Sequence, residues 1–145
     1  MGNNNLATIL IVDDNGTMRT LLRGILRSDE SADYVVAGEA NDCETALEQA
    51  LKIRPDVVCL DIMMPKGSGL DVLKKIKAEL PHTVVLMVTS SHDAPTVKAA
   101  LDGGAGGYIV KPFNSSTILN VVRQAVDKAR ALKAAAAKAA GPTPP

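Results

Sequence analysis

The apolar residues of this chain fall into five short runs. Each run gives way to a segment in which apolar residues recur every third or fourth position. The runs are Leu6 to Val12 (LATILIV), Tyr34 to Ala37 (YVVA), Val57 to Leu60 (VVCL), Thr83 to Val88 (TVVLMV) and Gly107 to Val110 (GYIV). Unbroken apolar runs of this length, bounded by turn residues, predict buried strands, and the wider spacing predicts helices. A first helix is expected over Asn15 to Arg27 with Met18, Leu21, Leu22, Ile25 and Leu26 inward. A second starts at Asn41 or Asp42, turns Ala46, Leu47, Ala50, Leu51 and Ile53 inward, and is stopped by Pro55. Leu70, Leu73, Ile76 and Leu80 mark a third, closed before Pro81, and Asp93 to Asp102 a short fourth. Ile118, Leu119, Val122, Ala125, Val126, Ala129 and Leu132 mark a fifth. Asn15 or Asp14 can cap the first helix, and Asn114 or Ser115 the last. KGSG after Pro65 reads as a flexible turn, and GGAGG after the fourth helix supplies positions suited to positive φ.

Five strand–helix repeats with uniformly apolar strands predict an α/β fold, a five-stranded parallel sheet with helices on both faces. Right-handed crossovers leave few topologies. The domain spans 6–132, after a loose start at 1–5. A low-complexity tail of Ala, Lys and Pro occupies 133–145. Ala and Lys there favour extension of the last helix. Gly141 and Pro142 end it, and disorder is expected beyond.

Composition narrows the picture. The 145 residues suit one domain, and 46% of them are hydrophobic. With no Trp, one Phe and two Tyr, the core must be aliphatic. Lys plus Arg equals Asp plus Glu at 16 each, which leaves no basic footprint for nucleic acid or an anionic membrane. No apolar run is long enough to span a bilayer, so a cytoplasmic monomer is expected. Cys43 and Cys59 lack metal-type spacing, and Cys59 reads as a small core residue.

A parallel sheet brings the residues just past each strand to one edge. There stand Asp13 and Asp14, then Asp61, Thr89 and Lys111. Each alone could cap a turn or helix, but five at corresponding strand ends point to a site. Three close carboxylates repel one another. Oxygen-only ligands at an open edge suit Mg²⁺. A cation, an ammonium and a hydroxyl suit a phosphoryl group in transfer, and the remaining carboxylate would accept it as nucleophile.

ILIVDDNGTMR, VVCLDIMMPKGSGLDVL, VLMVTSS and GGYIVKPF resemble the four motif blocks of response-regulator receiver domains, over about residues 6–131. DDxxTMR and KPF look most like stand-alone chemotaxis-type receivers. The resemblance implies the flavodoxin-like sheet order 2-1-3-4-5, for which the chemotaxis receiver is a standard example. It further implies Asp61 as phosphoacceptor, served by a sensor histidine kinase or histidine phosphotransfer protein. Asp14 would bind Mg²⁺ directly, Asp13 through water, and Met63 through its backbone carbonyl. Thr89 and Lys111 would contact phosphoryl oxygens. Tyr108 would turn inward on activation, changing the face of the fourth helix, fifth strand and fifth helix for a downstream protein partner. The Lys111–Pro112 bond would be cis. Met63 and Ser91 flank the path of an attacking water and would tune phosphate lifetime. The implied activity is self-phosphorylation and dephosphorylation, not catalysis on an outside substrate.

Three rivals stand beside this. A haloacid-type phosphatase wants a second Asp two residues after the nucleophile, where Met63 stands. A flavin-binding domain wants a phosphate cradle after the first strand, where DDNGT has the wrong charge. A degenerate receiver that only binds partners would not need Asp13, Asp14, Asp61, Thr89 and Lys111 together.

Overall fold

The computed structural model describes residues 6–140. The strands are β1 (Ala7–Val12), β2 (Tyr34–Ala40), β3 (Val57–Leu60), β4 (Met63–Met64), β5 (Gly67–Ser68), β6 (Val84–Thr89) and β7 (Gly107–Val110). The helices are α1 (Gly16–Arg27), α2 (Cys43–Ile53), α3 (Gly69–Glu79), α4 (Ala94–Asp102) and α5 (Ser115–Ala140). The main sheet has the order β2-β1-β3-β6-β7, and all its pairings are parallel. Leaving out the two-residue strands β4 and β5, this is the flavodoxin-like order 2-1-3-4-5. The loose start expected at 1–5, the helix stop expected at Gly141 and Pro142 and the disorder expected beyond them lie outside the described residues.

Alternation along the strands divides the core in two. Ile9, Ile11, Cys59, Leu86 and Ile109 face α1 and α5, and Leu10, Val12, Val58, Leu60 and Met87 face α2, α3 and α4. Ile9, Leu10 and Ile11 are wholly buried, and each such side chain contributes about 1.5–3 kcal/mol over an exposed one. Burial pushes the Cys59 thiol up to about 12, so it packs as an inert apolar group.

Three sequence expectations need correction. β2 continues past Ala37 to Ala40, through a register shift: Ile9 pairs with Val36, but Leu10 pairs with Gly38, leaving Ala37 as an extra residue. Such a bulge sharpens the local twist. The helical stripes are narrower than the periodicity suggests. Leu21 on α1 and Leu51 on α2 are exposed, because neighbouring positions already fill the inward face. The turn after Pro65 is a built feature, an antiparallel pairing of β4 with β5 around Pro65 and Lys66. Lys66 and Gly67 take positive φ there, at 66° and 130°.

The caps explain where helices begin. Asn15 accepts from the Met18 N–H, Asp42 from Thr45, Ser68 from Leu70, Asp93 from Thr96 and Asn114 from Thr117. α5 runs unbroken across 132/133 to Ala140. On that helix Arg123 pairs with Asp29, Arg130 with Asp33 and Lys133 with Asp56. All three aspartates lie at the edge where the strands begin.

Candidate functional site

The opposite edge, where strands end, gathers the charged residues the sequence singled out. β1 ends at Val12, and the buried Asp13 and exposed Asp14 follow. β3 ends at Leu60, and Asp61 follows, 6% exposed. One oxygen from each of Asp13, Asp14 and Asp61 falls within 4.8 Å of the others. The Lys111 ammonium, just past β7, reaches Asp13 Oδ2 at 2.7 Å and Asp61 Oδ2 at 3.1 Å. Burial works against the Lys111 charge, but the two carboxylates outweigh it and its pKa rises. It therefore stays an ammonium at neutral pH. Three carboxylates face one cation.

Backbone geometry sets the cluster. Asp13 N–H donates to the Ala40 carbonyl, tying the loop to β2. The Asn15 N–H donates to Asp13 Oδ1 and the Met63 N–H to Asp61 Oδ1, at 2.9 and 3.3 Å. Each is a two-residue side-chain turn of the kind Asp favours. Behind Asp61 lies Gly69. A Cβ there would sit 2.1 Å from the Asp61 carbonyl oxygen, so only glycine lets α3 start against this strand end. The sequence predicts Gly69 only as the last residue of the flexible KGSG turn. Its position at the first residue of an apolar-periodic helix is the signal that could have marked it.

The remaining expected residues lie around this cluster. Thr89 is wholly buried at the end of β6, and its Oγ1 accepts from the Ser91 N–H at 3.3 Å. Tyr108 on β7 is partly buried against the α2/α3/α4 side of the core, and its hydroxyl donates to the Ser91 carbonyl. Thr89, Ser91 and Tyr108 are thus joined through one loop. Met63 is 66% exposed, two residues beyond Asp61. The Lys111–Pro112 bond is cis. Sequence reasoning missed Arg19, which donates through Nη1 to the Asp13 carbonyl oxygen at 2.6 Å. Its partner Glu39 lies in the part of β2 beyond Ala37, past the end of the expected strand.

The donor set fits a hard divalent cation: carboxylate oxygens only, at an open edge, with more negative than positive charge. Asp13, Asp14 and Asp61 would hold it.

A family model for the response regulator receiver domain matches residues 9–123, and the chain belongs to that family. It is 39% identical over 117 residues to protein CcdB of Bacillus subtilis, covering 81% of this chain and 95% of that one. It is 34% identical over 116 residues to chemotaxis protein CheY of Thermotoga maritima, covering 80% and 94%. A CheY-like receiver domain structure from Methanospirillum hungatei JF-1 superposes with a TM-score of 0.79 at 26% identity, covering 86% of this chain and 97% of that one. The chain is thus a response-regulator receiver domain of two-component signalling with an acidic pocket compatible with Mg²⁺. Among the described residues no helix is long and apolar enough to cross a membrane.

Proposed function

We propose that this chain accepts a phosphoryl group on Asp61 from a phosphohistidine of a sensor kinase or phosphotransfer protein, and then presents an altered face to a downstream protein. The supporting observation is the sharing of Lys111 between Asp13 and Asp61, with Asp14 in the same 4.8 Å cluster. A carboxylate that shares its cation retains unmet charge, which an incoming electrophile with its own cation can satisfy.

In the reaction an Asp61 carboxylate oxygen forms a bond to phosphorus while the P–N bond of the donor breaks. The bonding pair leaves with the imidazole nitrogen, and nothing is oxidised or reduced. Mg²⁺ held by Asp13, Asp14, Asp61 and the Met63 carbonyl would supply charge to the equatorial phosphoryl oxygens. Lys111 neutralises a further oxygen, and the Thr89 hydroxyl donates to another. When Thr89 turns to the phosphoryl group it lets go of the Ser91 N–H. The loop that holds Tyr108 through the Ser91 carbonyl then loosens. That is the route to a changed α4–β7–α5 face, on which Leu101 and Val110 are exposed. Motility signalling is the output suggested by the chemotaxis relatives. Met63 and Ser91 would stand beside the path of an attacking water and tune how long the phosphate survives. Unchanged decay rates in Met63→Asn and Ser91→Glu would remove them from that role.

Intact-mass measurement with acetyl phosphate tests the proposal. A single phosphate adduct that requires Mg²⁺ and is lost in Asp61→Asn is expected. No adduct and no Mg²⁺ binding would leave a degenerate receiver that acts only as an interaction module.

A further inference from the structure

Arg19 lies on the first turn of α1, beside the acidic pocket but outside the carboxylate cluster. Its Nη1 donates to the Asp13 carbonyl oxygen at 2.6 Å and its Nε to Glu39 Oε1 at 3.1 Å. The second oxygen of Glu39 accepts from Arg23, one turn further along α1. Glu39 reaches α1 because β2 carries its extra residue at Ala37. The shift pairs Glu39 with Ile11, whose side chain faces the α1 layer. The fork of Arg19 thus bridges the strand-end carbonyl and the neighbouring strand, a geometry a guanidinium provides and a single ammonium does not.

The segment Asp13–Asn15 is fixed around Asp14 rather than at it. Asp13 N–H bonds the Ala40 carbonyl and Asn15 N–H bonds Asp13 Oδ1. Asn15 Oδ1 takes the Met18 N–H, and the Asn15 carbonyl takes the Arg19 N–H. The Asp13 carbonyl belongs to the peptide that joins Asp13 to Asp14. Holding that oxygen fixes the peptide plane, and with it where the Asp14 carboxylate starts.

We infer that Arg19, itself held by Glu39, is a positioning residue for the metal pocket: it sets the Asp13–Asp14 peptide so that Asp14 reaches a divalent cation. The inference rests on the Mg²⁺ reading above. Its effect has a sign opposite to simple electrostatics. Removing a positive charge near the pocket relieves repulsion and should tighten cation binding. Removing a positioning bond should weaken it.

The experiment is calorimetric titration of Mg²⁺ alone into the full chain, with no phosphodonor, and with thermal unfolding followed in parallel. The variants are Arg19→Gln, Arg19→Lys and Arg23→Gln. Arg23→Gln also takes a cation from Glu39 but leaves the Asp13 carbonyl bond in place, so it reports the purely structural share. Arg19→Gln is expected to weaken Mg²⁺ binding roughly ten-fold, the scale on which outer partners of metal ligands act. Arg19→Lys should recover part of that, and Arg23→Gln should bind as the parent or tighter. Parent-like or tighter binding in Arg19→Gln overturns the inference, as does an equal loss in Arg23→Gln. If the parent itself binds no Mg²⁺, the reading beneath falls and the inference falls with it.

Discussion

Strand β3 carries an aspartate at each end. Asp56 precedes it and Asp61 follows it, and both are 6% exposed. Both pair with a lysine, Asp56 with Lys133 and Asp61 with Lys111. Burial and a cation therefore do not separate them. What separates them is who else claims the cation. Asp56 Oδ2 accepts from the Thr8 N–H at 2.8 Å and its Oδ1 takes Lys133 for itself. Asp61 divides Lys111 with Asp13 and has a third carboxylate nearby. A carboxylate with a full set of its own partners holds the fold. One that shares too little positive charge is poised for chemistry.

The sharpest test exchanges the two ends. Asp61→Asn should lose the phosphate adduct entirely while stability stays within about 1 kcal/mol of the parent, since it removes a like-charge neighbour. Asp56→Ala should still take up phosphate but lose about 1–3 kcal/mol, because the partly buried Thr8 N–H and the Lys133 ammonium lose their acceptor. Intact mass and urea denaturation on both variants read this. Stability lost by Asp61→Asn and spared by Asp56→Ala would reverse the comparison.

A medium effect is expected from acid. Arg123 beside Asp29 holds that carboxyl well below the usual carboxylate range. For Asp56, burial pushes upward, but Lys133 and the Thr8 N–H outweigh it and the pKa falls. A carboxyl whose folded pKa is depressed adds stability above its unfolded value, about 3.9. That stability is lost as pH falls through the folded value. Urea midpoints should hold from neutral pH to about 5 and drop below about 4. Asp56→Asn should show a shallower drop, and an unchanged slope would exclude Asp56 from acid stability.

The smallest effect is expected at Lys133. More than half of its side chain is exposed, so Lys133→Gln should cost no more than about 1 kcal/mol and less in high salt. Lys111→Gln, by contrast, should slow phosphorylation by about 10²-fold or more, on the scale of a lost transition-state donor. Equal and small effects at both lysines would erase the distinction between the two edges.

Much of this was legible in the sequence because it depends on neighbours along the chain. VVCL followed by Asp61, ILIV followed by Asp13 and Asp14, and YIV followed by Lys111 declare a strand and its end in one reading. The parallel sheet then does the assembling. What could not be read depends on partners far apart. Arg123 meets Asp29 across 94 positions, and nothing local marks either residue. Gly38 and Glu39 are poor strand formers, so the local pattern predicts a strand ending at Ala37, whereas tertiary pairing carries β2 to Ala40. With those residues outside the expected strand, Arg19 stands in the DDNGTMR block without Glu39 as a visible partner.

The extra residue at Ala37 is a change of parity. Along an unbroken strand, Val36 and Gly38 would share one side and Glu39 would lie on the other. One added residue turns the remainder of β2 over. Val36 and Glu39 then both belong to the α1 side, and Gly38 gives its place to the Ile53 side chain of α2. With even parity Glu39 would be driven into the apolar layer beneath α2, and Arg19 would have no carboxylate to lean on. A single unpaired position in an edge strand thus decides which of two helices the acidic pocket is braced against.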